Sequence, residues 1–404
     1  MSETKSDSNT TNAALIRRLT IVVVALVMIA PFSIDTYLPS LPDIARDFGV
    51  SDFYLQQTLS FYMIAFAAMT LVYGPMSDVF GRRKLVLVSA AAYVVTSIGC
   101  ALAPNAHALM LMRIGQGLSA SGGLVVGRAV IRDSFSGAAA QRVMSRIMLM
   151  FAVAPAVAPI IGGWLHEVFG WRSVFWFLAL LGTAVWLCAA LLLPETLAAS
   201  DRHSAHPRAI ATAYWHALRH LPFMVLIAAI ALIFGGLFLY IAGSPTILYR
   251  DLGFGAQDFG YLFVPLVVGL MCGAVISGRM AGKYTHERAV TVGFSIMLAA
   301  SIINTLLGAF FTPTPVTVIA PVALYACGMS LALPNLSLLA FDYLPRNRGL
   351  ASALQSFVQM AFSAVVAGLF VPALNAHVAW FAVGMLALCA MGLLCWFGAR
   401  VRLP

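Results

Sequence analysis

The 404-residue chain is 61% hydrophobic and only 10% charged, with a mean hydropathy of +0.92. Soluble domains carry about 25% charged residues, so a soluble globule is excluded. The net charge of +9 comes without basic patches interleaved with aromatics; it reflects membrane topology and anionic lipid, and nucleic acid is not expected as a partner.

A membrane-crossing helix needs about 20 apolar residues. In chain order, twelve stretches qualify: 19–40, 55–77, 86–104, 108–130, 142–165, 172–193, 222–247, 260–281, 290–311, 316–339, 350–374 and 378–399. An even count puts both termini on one side. Twenty Lys and Arg, among them Lys5, Arg17, Arg18, Arg82, Arg83, Lys84, Arg128, Arg132, Arg142, Arg146, Arg202, Arg208, Arg346, Arg348 and Arg402, fall at one set of span ends. Only Arg46, Arg172 and Arg250 fall at the other, which makes the first set cytoplasmic. Arg17 and Arg18 precede the first stretch, but it runs past signal-peptide length and is read as a span. The division is a cytoplasmic tail (1–18), a six-helix bundle (19–193), a cytoplasmic linker (194–221) read as solvated, a second six-helix bundle (222–399) and a short tail (400–404). The expected fold is an all-α integral membrane protein of two parallel bundles around a central cavity.

Within the first span, Pro31-Phe-Ser-Ile-Asp35-Thr-Tyr37-Leu-Pro39 holds the one acidic residue well inside an apolar run. A carboxylate in hydrocarbon costs several kcal/mol and marks a functional position, here a proton acceptor. The gap after the second span reads Gly74-Pro-Met-Ser-Asp78-Val-Phe-Gly81-Arg82-Arg83-Lys84. Gly81 permits a tight reversal, and Asp78 can pair with Arg82. In the fourth span Arg113 is the one cation inside an apolar run, about 9 Å inward from His107 at 1.5 Å per residue. Asp35 lies at similar depth, so Arg113 is its expected counterion. The fifth span carries Ala154-Pro155-Ala-Val-Ala158-Pro159-Ile-Ile-Gly162-Gly163. Its prolines kink the helix, and its small residues let a neighbouring backbone approach. Tyr37, Tyr62, Phe66, Phe234, Phe238 and Phe263 supply aromatic surface for a drug cavity, and Asn335, beside Pro334, adds a polar group.

The six cysteines are scattered singly, and the eight histidines sit at span ends or in loops. Neither a metal site, a disulfide framework nor a histidine relay is expected. Gly278-Arg-Met-Ala-Gly282-Lys283-Tyr284 is one residue short of a phosphate loop and lacks its Ser/Thr. No hydrolase elbow or zinc helix occurs, so the chain is not read as an enzyme.

The Gly74–Lys84 loop resembles the signature of the major facilitator superfamily, G-x-x-x-D-R-x-G-R-R/K, with Val79 in place of the usual arginine. Arg113-x-x-Gln116-Gly117 is similar to that superfamily's proton-coupling motif. Pro159-x-x-Gly162-Gly163 is similar to its antiporter motif, with Ala158 replacing a glycine. Ser33–Pro42, Tyr73–Asp78, Gly162-Gly163-Trp, Gly170-Trp171-Arg172, Pro194-Glu195-Thr196 and Arg346-Asn-Arg348-Gly349 together resemble the bicyclomycin/chloramphenicol resistance exporters (Bcr/CflA). The resemblance implies export of small drugs by proton antiport across the bacterial inner membrane. It also implies a gate in which Asp78 sits against the N-terminus of the eleventh span near Gly349. The proton is the expected coupling ion, no other cofactor is implied, and a monomer is expected. A metabolite carrier on the same fold and a passive facilitator are the rivals: the first should need more buried polar groups, the second neither buried charge.

Overall fold

The computed structural model describes the backbone of residues 3–135, 137–197, 200 and 207–400. Side chains are described from residue 16 onward, leaving out 136–142, 145–146, 148–149, 151–152, 198–199, 201–207, 209, 346 and 401–404. The side chains of Lys5, Arg142, Arg146, Arg202, Arg346 and Arg402, most of the 1–18 tail, the middle of the linker and the final tail lie outside the described residues.

Among the described residues every regular element is helical. The spans after the first are Asp52–Phe80, Arg82–Ala101, Ala106–Ser134, Gly137–Phe169, Arg172–Leu192, Leu221–Ala242, Gly260–Met280, His286–Phe310, Pro315–Asp342, Arg348–Leu374 and Val378–Arg400. The first is broken: a helix ending at Asp35, a 3₁₀ turn Leu38–Ser40 and a short helix Leu41–Phe48. Eleven of the twelve are long and apolar enough to cross a membrane by themselves. The described apolar part of the fifth, Val153–Phe169, is shorter. Polar residues at the boundaries start several spans: Ser51, Asn105, Thr285 and Thr314 each accept from a backbone N–H in the first turn.

The second span packs on the fourth, the fourth on the third, the third on the sixth, and the first on the fourth, fifth and sixth. In the second bundle the tenth packs on the eighth and ninth, and the seventh on the tenth, eleventh and twelfth. The bundles join where the second span meets the eleventh and the fifth meets the eighth.

Prolines decide how the bundles hold together. A proline four residues downstream deprives a carbonyl of its helical donor, and an unsatisfied carbonyl in hydrocarbon costs several kcal/mol. Pro372 orphans the carbonyl of Gly368 beside a π-helical turn, Val366–Phe370. Gln57 Nε2 of the other bundle donates to it at 2.8 Å. One turn away Ser60 Oγ donates to Ala364 O at 3.0 Å, and Gln56 Nε2 reaches Ala242 O at 3.3 Å. The Tyr249 hydroxyl donates to Pro39 O at 2.8 Å. All four bonds cross between bundles at their periplasmic ends, so this conformation is sealed toward the periplasm.

The linker is more than a solvated connector. Pro207–Arg219 is a helix that buries Ala217 and turns Tyr214 onto the second span. There the Tyr214 hydroxyl donates at 3.1 Å to Leu71 O, the carbonyl that Pro75 orphans. Burial pushes this phenol up to about 12, further still above physiological pH than a free tyrosine.

Removing the seal's donors should open the periplasmic side. Each hydrogen bond contributes about 1 kcal/mol, so Gln57→Leu with Ser60→Ala should raise the periplasm-open population at least about tenfold. A cysteine at Ala364, in a protein otherwise freed of cysteines, should then react proportionally faster with an impermeant maleimide added from the periplasmic side.

Candidate functional site

The break in the first span creates the site. Pro39 stands four residues after Asp35, so the helix cannot continue to close the bonds of its last turn. Thr36 N still reaches Phe32 O, but Ser33 O turns to a different donor, Arg113 Nη1 of the fourth span, at 3.1 Å. The same nitrogen donates to Gln116 Oε1 at 2.6 Å, and Gln116 Nε2 donates to Ser97 Oγ of the third span at 2.8 Å. The guanidinium lies over the Tyr37 ring at 4.7 Å and the Tyr62 ring at 4.3 Å. Tyr37 is fixed in turn by its hydroxyl, 2.8 Å from Thr58 Oγ1, and Tyr62 stacks on Phe66. Arg113 is thus 0% exposed and does not snorkel. Two aromatic faces stabilise a desolvated guanidinium by about 2 kcal/mol or more.

The cage is incomplete on one edge. Arg113 Nε and Nη2 and the Tyr62 hydroxyl are buried with no partner among the described residues. Asp35, 5% exposed, also makes no hydrogen bond or ion pair among them. The expected Asp35–Arg113 pair is therefore not formed in this conformation. The reason is local: Arg113 follows Ser33 and Tyr37, which flank Asp35 two residues to either side, and Asp35 projects from a different face of the turn.

The fifth span presses on this break. At Gly162 a Cβ would overlap the backbone of Thr36, the residue after Asp35. At Gly163 it would overlap the carbonyl of Ala256, in the turn that opens the eighth span of the other bundle. Adjacent glycines thus serve two interfaces, one inside the first bundle and one between bundles. Pro155 and Pro159 sit inside the same helix.

At the cytoplasmic end, Gly81 turns with φ +91°, which favours glycine, and delivers Arg82 into the protein, where it is 3% exposed. Its side chain bonds Asp78 Oδ1 at 2.6 Å, Asp133 Oδ2 at 2.9 Å and Ser77 Oγ, while its backbone N–H donates to Glu195 Oε1 at 2.9 Å. Arg83 Nη2 caps Ala190 O at 2.9 Å, and Gly74 backs onto Val125. Asp78 is 46% exposed and spends its carboxylate within its own bundle. The side chain found beside Gly349 is Arg132, so the latch expected between Asp78 and the eleventh span is not formed here. Sequence reasoning missed Asp133 as a member of this cluster; its signal was the Arg132-Asp133 pair closing a span that packs on the second.

Residues 23–367 match the family model described as Major Facilitator Superfamily. The chain belongs to this superfamily. It is 31% identical to a protein of Bacillus subtilis (strain 168) described as "Uncharacterized MFS-type transporter YdgK", over 85% of this chain and 86% of that one. It is 28% identical to the "Bicyclomycin resistance protein homolog" of Haemophilus influenzae, over 85% and 86%, and to a "Chloramphenicol resistance protein" of Pseudomonas aeruginosa, over 78% and 75%. Among solved structures, the xylose transporter XylE of E. coli has a TM-score of 0.72 at 13% identity, covering 97% of this chain and 98% of that one; at that identity only the fold is shared. This facilitator is therefore a multi-pass inner-membrane transporter of small molecules and not an enzyme.

The remaining expected cavity residues fall in separate places. Tyr37 and Tyr62 lie against Arg113, and Phe66 stacks on Tyr62. Phe234 and Phe238 stack on one another in the seventh span, the former half-buried. Phe263 is fully buried and stacks on Phe259. Asn335 lies near the cytoplasmic end of the tenth span, bonded to His286 Nδ1 at 2.8 Å and Leu331 O at 2.9 Å. It lines a cytoplasmic crevice of about 740 Å³ with Ser277, Lys283 and Tyr284.

The two glycines should separate on substitution. Gly162→Val overpacks the first bundle at a cost of about 1–3 kcal/mol and should lower the detergent melting temperature by several degrees. Gly163→Val should leave that melting temperature nearer wild type and instead raise periplasmic labelling of the Ala364 cysteine. Equal effects of both on both readouts would contradict the division of roles.

Proposed function

We propose that this facilitator exports small, largely apolar drugs of the bicyclomycin and chloramphenicol kind from the bacterial cytoplasm in exchange for protons, with Asp35 as the proton site. The observation that carries the reading is a buried acid, Asp35, without a partner among the described residues, near a fully buried arginine, Arg113, whose edge is open. The resistance proteins among its relatives and the sparse polarity of the spans favour a drug over a hydrophilic metabolite.

Nε and Nη2 of Arg113 form the fork of a guanidinium that takes a carboxylate with two parallel bonds. A protonated Asp35 has no reason to occupy it, and a deprotonated one does. Protonation from the periplasm neutralises Asp35 and releases drug outward. Proton loss to the cytoplasm lets the acid swing to Arg113 and Tyr62 and readies the drug site. Each inward proton supplies about 2.3 kcal/mol per 100 mV and about 1.4 kcal/mol per pH unit. One buried acid sets one proton per cycle, and a single chain, acting as a monomer, contains every group required.

The gate follows from the cytoplasmic cluster. When the cytoplasmic side closes, Asp78 is free to move from Arg82 to the N-terminus of the eleventh span, whose unpaired N–H groups and dipole attract a carboxylate by about 0.3–1 kcal/mol.

In energised cells lacking other pumps, this protein should lower accumulation of a labelled amphenicol, and Asp35→Asn or collapse of the gradient should restore it. Accumulation equal to that in empty-vector cells, with the protein confirmed in the membrane, would overturn the amphenicol reading in favour of another drug class or a metabolite carrier. Export that survives loss of the gradient would instead point to a passive facilitator. Asp78→Asn should slow turnover several-fold while drug binding persists. Lost binding with normal turnover of bound drug would argue against the gate.

A further inference from the structure

A second cation lies inside the fourth span, and nothing in the proton cycle uses it. Arg128 stands six residues before the end of the helix Ala106–Ser134, about 9 Å in from its cytoplasmic end. It is half-buried. Among the described residues its guanidinium has no ion pair, hydrogen bond or ring partner, and Arg132, one turn further on, has none either.

The direction in which this pair faces is set by the rest of the helix. Gly123 and Gly127 back onto Leu26 and Val23 of the first span, Gly122 onto Ser89 of the third, and Gly117 onto Tyr62 of the second. Residues 128 and 132, four apart on one stripe, lie on the side of the helix turned toward the second span, close to where Val125 meets Gly74. Arg132 shows what that side meets: a Cβ at Gly349, the start of the eleventh span in the other bundle, would touch Arg132 Nη1 at 3.5 Å. The exposed Arg132 guanidinium therefore stands where the two bundles meet at the cytoplasmic end, with the half-buried Arg128 one turn further in on the same stripe.

Among the described residues no acid is paired with either of them. Asp78 and Asp133 are bound to Arg82, and Glu195 takes the Arg82 backbone N–H. Asp342 is bonded to Arg348 at 3.2 Å and Glu287 lies 3.7 Å from Arg400. Deeper in, Arg113 is a third positive group, against the single carboxyl of Asp35.

We infer that Arg128 and Arg132 form a cationic filter at the cytoplasmic mouth, by which this transporter favours anionic and hydrogen-bond-accepting substrates and disfavours lipophilic cations. The inference rests on the efflux reading above and narrows its substrate class. Unpaired guanidinium groups offer nitro, carbonyl, carboxylate or sulfonyl oxygens charge-assisted donors. A positive mouth with low-dielectric walls raises the local concentration of anions and lowers that of cations.

The test uses two probes of matched size and shape and opposite charge, tetraphenylborate and tetraphenylphosphonium. Each is titrated onto the full chain in nanodiscs of zwitterionic lipid, and chloramphenicol transport is measured separately in proteoliposomes under a proton gradient. Wild type should bind the borate at least about tenfold more tightly than the phosphonium. Arg128→Gln with Arg132→Gln should narrow that ratio about tenfold, and Arg128→Lys with Arg132→Lys should preserve it; a packing role alone would not separate the two double variants. Equal affinities in wild type, preference for the phosphonium, no binding of either probe, or an unchanged ratio in the Gln variant would each overturn the filter. Loss of the drug-efflux reading registers elsewhere: chloramphenicol fails to move with the gradient while the anion preference stands.

Discussion

A carbonyl that loses its helical donor inside a membrane must find another, and the arrangement of this protein follows from where prolines create that need. Pro372 leaves Gly368 O to Gln57 of the opposite bundle, and Pro75 leaves Leu71 O to Tyr214 of the linker helix. The break around Pro39 leaves Ser33 O to Arg113. In water such vacancies would be filled by solvent at little cost; in hydrocarbon each becomes a specific attachment. The donors come from distant parts of the chain, so the same prolines that weaken individual helices tie separate elements together.

Those attachments are suited to a protein that must change shape. A side-chain donor to a carbonyl can let go where water enters, because water then satisfies both groups. The periplasmic seal is made of such bonds together with close backbone packing at Gly163. The buried core of each bundle is largely apolar, though it too holds side-chain donors to carbonyls, Arg113 to Ser33 O in the first and Tyr325 to Ile233 O in the second. The polar bonds between the bundles are few and individually modest.

Charge is handled by a different rule. Arg113 is tolerated at full burial because two rings, one carbonyl and one amide oxygen surround it, yet its remaining edge is left open. A fully satisfied cation would be inert, and an unsupported one would be expelled or snorkel. The half-satisfied cage holds the guanidinium in place while reserving its bidentate edge for a group that comes and goes. Arg82 is the counter-example: with Asp78, Asp133, Ser77 and Glu195 all around it, it fixes the cytoplasmic loop as structure.

Twelve apolar stretches and the lopsided distribution of Lys and Arg were enough to establish twelve spans and their orientation, because length and hydropathy act locally and the bilayer imposes one thickness on every helix. The isolation of Asp35 and Arg113 was equally legible, since a charge within an apolar run stands out against any background. What the chain alone did not reveal is how these parts meet. It suggested that Asp35 and Arg113 pair, but depth along two helices says nothing of the face from which each projects. It marked Gly162 and Gly163 as a single motif, though the two touch different bundles. It offered no reason to join Arg132 to Gly349 or Tyr214 to Leu71, residues whose meaning depends on which face is turned to a neighbour. Hydropathy along one chain decided what lies in the membrane; only the packing of one helix against another, fixed by small residues and by carbonyls in search of donors, decided what touches what.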